Sequence, residues 1–341
     1  MRNEIDTLLS SMSLKQKLGQ LLVVGFEGTE LTKELSDSLS KGNFAGFILF
    51  KRNIESSEGA RRLLKGLRRL FPPDLPPILS LDEEGGRISQ IDHLFSVSPS
   101  ASRIGATRNT RFAFFHARDS AQKLKWLGFN VVFAPVLDVN DEPKNPVIGD
   151  RSFGADPGLV ASLGGAALKG FNDGGIVPTA KHFPGHGSSL VDSHKNLPVI
   201  SHPAERWYKF EFLPFTTAIE QGVRIVMMGH IGCPGLSGRE DQPASFSPRV
   251  VEQILRKELG FQGVVITDAL EMGAAAHYVA SGGRLEEALL AGCDILLFAH
   301  GGENAGKALR NLLKAVKEGR LSEARVDESL RRILALRKHL L

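Results

Sequence analysis

Three histidines fall within thirteen residues: His182 and His186 in the stretch Lys181-His182-Phe183-Pro184-Gly185-His186-Gly187, and His194 in Asp192-Ser193-His194 beyond it, with Pro198 following. An imidazole can carry a proton near neutral pH, and a neighbouring carboxylate can fix its tautomer and raise its pKa. Asp192 and His194 are two residues apart, a spacing that puts both side chains on one side of an extended loop. Such a pair can exchange protons with a bound molecule; a solvent-exposed turn with an incidental ion pair is the plain alternative. His182 and His186 are four apart, as metal ligands on a helix would be, but Pro184 and Gly185 interrupt them and no Glu follows His182 as in the zinc proteases. A metal-dependent hydrolase is therefore the less favoured use of the three histidines. Asp268 follows the apolar run Val264 to Thr267 and stands three residues before Glu271. It can serve as a carboxylate nucleophile or simply cap the helix that comes next. Asp82, Arg151, Lys181 and His182 add further carboxylate and donor groups. Vicinal sugar hydroxyls donate to Asp and accept from Lys or His, and a carboxylate under an anomeric carbon can stabilise or trap an oxocarbenium-like centre. No glycine-rich phosphate loop is present, which disfavours sugar phosphates. Asp138, close to Asn140, reads as an organiser of loop backbone, Arg87 as a stem packed under a loop, and His230 equally as a hydrogen-bonded rim residue or a functional one.

These residues need a frame that brings distant segments to one place. Short apolar, β-branched runs occur at 21–26, 44–50, 78–81, 131–136, 177–180, 225–228, 264–267 and 295–299, which predicts eight strands. Helical spacing fills several gaps, as over 56–70, 110–127, 157–173 and 248–259, where Ser247 before Pro248 reads as an N-cap followed by a helix-starting proline. Strand and helix alternating eight times with no linker predict a closed parallel (β/α)₈ barrel rather than two domains. Catalytic groups of such a barrel sit just after strand ends. Asp82, Asp138, Lys181 with His182, His230 and Asp268 all do.

Composition is consistent with this. The chain has 341 residues, 42% of them hydrophobic, with 42 Lys and Arg against 38 Asp and Glu for a net charge of +4, which excludes disorder as the main state. Basic residues such as Arg61, Arg62, Lys65, Arg68 and Arg69 read as a solvated helix face rather than a nucleic-acid patch. No apolar run is long enough to span a membrane and the first residues lack the apolar core of a signal peptide, so a cytoplasmic protein is expected. Cys233 and Cys293 alone are too few for a disulfide framework.

The stretch from Lys181 to Pro198 resembles the signature of the family 3 glycoside hydrolases of the β-N-acetylhexosaminidase type. Residues 19–26, 81–87, 134–139, 148–153, 243–247 and 259–272 resemble further landmarks of that family, in its order. The resemblance implies one barrel domain over residues 1–341, acting as a retaining exo-β-N-acetylglucosaminidase. In bacteria such enzymes release terminal GlcNAc from GlcNAc-anhydro-N-acetylmuramic acid, with or without its peptide, during peptidoglycan recycling. Carried over residue by residue, the nucleophile falls on Asp268 and the acid/base on His194 with Asp192 as its partner. Substrate-binding positions fall on Asp82, Arg151, Lys181, His182 and Gln90. Gln90 stands where the family carries a second arginine, Glu83 where it carries a glutamine, and Ala269 where it often carries a second Asp. The glycine- and serine-rich segment from Gly185 to Asp192 is expected to move and bring the pair to bound sugar. Neither cofactor nor metal is implied, and the expected partner is a small sugar or muropeptide, not nucleic acid or membrane, bound by a monomer. A phosphorylase or a β-glycosidase of other specificity on the same scaffold, and a non-catalytic sugar-binding protein, are the rival readings.

Overall fold

The computed structural model describes residues 2–73 and 75–340. Eight strands follow in chain order: β1 (Leu22–Val24), β2 (Gly46–Ile48), β3 (Ile78–Leu81), β4 (Val131–Val132), β5 (Val177–Phe183), β6 (Ile225–Met228), β7 (Val264–Ala269) and β8 (Ile295–Phe298). Each pairs in parallel with the next and β8 pairs with β1, so the sheet closes on itself as a (β/α)₈ barrel. Residues of β1 to β6 are buried throughout, as expected of parallel strands covered on one side by helices and on the other by the barrel interior.

The helices begin and end where local chemistry allows. Thr110–Leu127 is capped by the Asn109 side chain, which accepts from the Phe112 amide at 3.1 Å. Pro157–Asp173 opens on a proline and is capped by Asp156, which accepts from the Leu159 amide at 2.6 Å. The segment Arg249–Glu258 differs from expectation: it has π-type turns and no side-chain cap. Ser247 instead offers its carbonyl to the amides of Val250 and Val251, both at 3.0 Å.

Three of the strands, β4, β5 and β7, depart from the sequence pattern in ways that matter to function. The apolar run after β4 leaves the ladder early, yet Val136 still bridges to Lys181 and the Leu137 amide donates to the Lys181 carbonyl at 2.6 Å. β5 runs to Phe183 and its register against β6 slips between Lys181 and Phe183; β7 runs to Ala269 and slips against β8 between Ile266 and Ala269. Irregular pairing of this kind re-aims side chains at barrel rims. Below the first slip, Phe183 stacks on Phe212 at 5.1 Å and meets Phe215 edge-on at 5.2 Å, which pins the end of β5 to the helix Leu213–Glu220.

Candidate active site

The C-terminal ends of the strands surround a cavity of about 430 Å³, within the range of small-ligand sites. Its floor is an array of buried charges. Lys181, at the slip in β5, reaches Asp82 and Glu84 with its ammonium, 2.6 Å from each. The Arg151 guanidinium grips the other side of Glu84 through two bonds of 2.8 Å. Side-chain exposure is 2% for Lys181 and 3% for Glu84, so these charges persist only because each is paired. Burial would raise the Glu84 pKa, but Arg151 and Lys181 outweigh it and hold the carboxyl far below its ordinary range. Burial likewise would lower Lys181, and Asp82 and Glu84 reverse that.

His182 is oriented from behind. Its Nδ1 lies 2.7 Å from Oδ2 of the fully buried Asp138, its Nε2 3.3 Å from Arg151 and 4.0 Å from Asp268. Asp138 also accepts the His186 amide at 2.6 Å, so it does organise loop backbone and, in addition, fixes a ring that faces the cavity. His186 is buried and stays neutral at working pH, its pKa pushed down to about 4 by burial, and its Nε2 meets the Ser193 hydroxyl at 2.9 Å.

Asp268 sits at the slip in β7, its side chain 22% exposed, with Oδ1 accepting the Ala269 amide at 2.7 Å. Burial would raise its pKa; the imidazoles of His182 and His230 and the Ala269 amide outweigh it and keep the carboxyl below its ordinary range. It is not a helix cap. The next helix, Gly273–Ala280, starts five residues on and has no side-chain cap. Glu271 turns away from that helix to accept the amides of Ala299 and His300 at 3.1 and 3.0 Å. His230 is a buried rim histidine, bonded to Ser245 at 2.8 Å and placed 3.2 Å from the Ala269 carbonyl.

At the mouth, Asp192 Oδ1 lies 2.8 Å from His194 Nδ1 and takes the His194 amide at 2.9 Å. Burial acts to raise Asp192, and the His194 amide and ring prevail to lower it. His194 is 61% exposed, in contrast to Lys181 and Glu84 on the floor. The three histidines thus turn to three different partners, and among the described residues no cluster of three His, Cys, Asp or Glu side chains is arranged to hold an ion.

The eight residues offered as catalytic or substrate-binding all line this one cavity: Asp82, Gln90, Arg151, Lys181, His182, Asp192, His194 and Asp268. Gln90 enters from the side, its Oε1 accepting the Lys51 amide at 2.9 Å. Arg87 also lines the cavity and pairs with Asp150 at 2.7 Å. Sequence reasoning passed over Glu84, which links Arg151 to Lys181. The signal was present: Asp82 and Glu84 are two apart at a strand end, a spacing that sends both to one face.

Residues 13–336 match the model of the glycosyl hydrolase family 3 N terminal domain. The chain is 36% identical over 288 residues to a beta-hexosaminidase from Stenotrophomonas maltophilia (strain K279a), covering 82% of this chain and 83% of that one. Among solved structures it is similar to a glycoside hydrolase family 3 beta-N-acetylglucosaminidase from Paenibacillus sp. str. FPU-7, with a TM-score of 0.92 and 39% identity. That match covers 96% of this chain and 63% of the Paenibacillus chain, so the two differ in extent. A GH3 family glycosyl hydrolase from Mycobacterium smegmatis str. MC2 155 is similar in length, with a TM-score of 0.83, 33% identity and coverage of 96% and 98%.

Proposed function

This chain belongs to glycosyl hydrolase family 3, as a glycoside hydrolase of the β-hexosaminidase type, and from that premise we propose that it removes terminal N-acetylglucosamine with retention of configuration. The observation that carries this reading is that Asp268 and the Asp192–His194 pair line the same cavity. In the first step ionised Asp268 attacks the anomeric carbon, while His194 in its imidazolium form protonates the departing oxygen. The glycosyl-aspartate is then opened by water, whose proton passes to His194, now neutral, and the stereochemistry of the first displacement is reversed. On giving up its proton the imidazolium becomes a neutral base, so no second anion is left beside Asp268. Asp82, Arg151, Lys181 and His182 hold hydroxyls of the sugar. Gln90 contacts substrate through an amide where the family uses an arginine.

The natural substrate under this reading is GlcNAc linked to anhydro-N-acetylmuramic acid, with or without peptide, released during peptidoglycan recycling in the cytoplasm. Support comes from the family resemblance. Residues 1–341 are read as one barrel domain acting as a monomer, without cofactor.

The test is hydrolysis of a chromogenic β-N-acetylglucosaminide beside the matching β-glucoside, by wild type and Asp268→Ala, with and without phosphate. Selective GlcNAc release that ignores phosphate and falls by about 10³-fold or more in the variant is expected. Phosphate-dependent turnover would make the protein a phosphorylase, and turnover untouched by the substitution would remove Asp268 from the chemistry.

A further inference from the structure

The loop that carries His194 is held by residues that do not themselves line the cavity. Ser188 donates its hydroxyl to Asp141 Oδ1 at 2.6 Å. The other oxygen of Asp141 is taken by Arg206 Nη2, and Arg206 Nε donates to Glu211 Oε1 at 3.0 Å. Glu211 is buried, with a side chain 3% exposed, so Arg206 is fixed at one end in the protein interior and presents a directed N–H to Asp141 at the other. These groups come from separate segments: Asp141 follows β4, Ser188 lies in the loop after β5, and Arg206 ends the turn Ala204–Arg206 beyond it. An isolated exposed ion pair contributes little. Here, however, the carboxylate has its two oxygens committed to different partners, and its orientation sets where Ser188 sits.

From Ser188 the constraint reaches His194 by a short route. Asn145 donates to the carbonyls of His186 and Gly187 at 2.8 and 2.9 Å, and the His186 ring meets Ser193, next to His194, at 2.9 Å. Gly187 has no room for a side chain, since a Cβ there would fall 1.8 Å from the Val139 carbonyl oxygen. The root of the loop is thus pressed on the segment after β4, and Leu190 and Val191 beyond it are exposed. Proton transfer to a leaving group is sensitive to displacements of about 1 Å.

We propose that Arg206 and Asp141 are positioning residues for the proton-transfer step, holding through Ser188 the root of the loop that presents His194. The inference rests on the reading of Asp192 and His194 as the acid/base pair. It separates this step from sugar recognition: Asp141 and Arg206 make no bond to Lys181, Glu84 or Arg151, and the tie between loop root and floor, the His186 amide on Asp138, is made without them, so ring binding is expected to survive their loss.

The test compares kcat/KM on two β-N-acetylglucosaminides. One carries 2,4-dinitrophenolate, which departs without a proton, and the other is a disaccharide whose alcohol leaving group needs one. Arg206→Met and Asp141→Ala are expected to lose about 10- to 100-fold on the disaccharide and to stay within about twofold of wild type on the dinitrophenyl substrate. Ser188→Ala, which deletes one hydroxyl, should lose in the same direction by a smaller factor, and carries the test if the other two fail to fold. Arg206→Lys should restore part of the loss. Equal losses on both substrates, or none on either, would overturn the proposal. His194→Ala is measured alongside. If it shows the leaving-group dependence and the Arg206, Asp141 and Ser188 variants do not, the proposal fails and the acid/base reading stands; if His194→Ala lacks it, the acid/base reading fails and the proposal with it.

Discussion

Glu83 is 2% exposed, and its carboxylate accepts the Ser89 hydroxyl and the Gln90 amide at 2.8 Å each. Burial pushes its pKa from 4.5 up to about 7, against the pull of those bonds, and Asp92 nearby adds to the rise. Between these two values the folded protein keeps a proton that the unfolded chain has released. The stabilisation owed to that proton is therefore complete below the unfolded value and is lost as pH rises towards the folded one, by about 1.4 kcal/mol per unit at most. Glu83→Gln keeps the shape and abolishes the titration. Urea midpoints measured across this window should fall with rising pH for wild type and, relative to it, stay level for the variant. Its neighbour Glu84 has an opposite environment, and nothing in residue type distinguishes the two. One carboxylate lies among hydroxyl and amide groups, the other between two cations, and only the alternation of a strand end separates them. Asp192 and His194 were legible because their bond is local; the Asp138–His182 bond spans 44 residues and needed the barrel to exist.

Strand positions were legible because buried parallel strands are written as continuous apolar runs, and the helices Thr110–Leu127 and Pro157–Asp173 because their caps are written beside them. The register slips in β5 and β7 were not, since they depend on how closure of the sheet accommodates Lys181, His182 and Asp268 rather than on any local pattern. Between these slips the segment after β7 touches the loop after β5. The Gly273 amide donates to the His194 carbonyl at 3.0 Å and the Ala274 amide to the Ser193 carbonyl at 3.2 Å. A Cβ on Gly273 would lie 2.3 Å from the Lys195 oxygen and 2.8 Å from that of His194. Gly273→Ala should therefore push the loop off its seat, lowering kcat/KM on a disaccharide by about tenfold or more, with an unfolding cost of about 1–3 kcal/mol in urea titration. Unchanged turnover would mean that the loop works from another position.

The barrel divides its labour between its two ends. Reactive side chains crowd the C-terminal rim, while the opposite rim is tied by Asp294, a fully buried carboxylate just before β8. Arg256 donates to it at 2.6 Å, Arg332 at 3.0 Å, Ser329 at 2.8 Å and the Val265 amide at 3.0 Å, joining β7, β8 and the last helix, Glu323–Arg337. Removing this charge takes the buried anion from between Arg256 and Arg332, which are left with the carbonyls of Gly292 and Gly263 and with Glu328. Asp294→Asn should cost about 3–5 kcal/mol of stability, read from denaturant midpoints, while kcat/KM well below the transition stays at the wild-type level. A fall in kcat/KM matching the fall in stability would show that the two rims are coupled.

The bonds that Gly273 and Ala274 give to the loop have a use of their own. Those two amide protons are shielded by a segment that is not part of their own helix or strand, so solvent deuterium reaches them when that segment lifts. Their exchange rates therefore measure how often the cleft is unlatched, and a saturating sugar should slow both together while leaving the amides of β6 as they were.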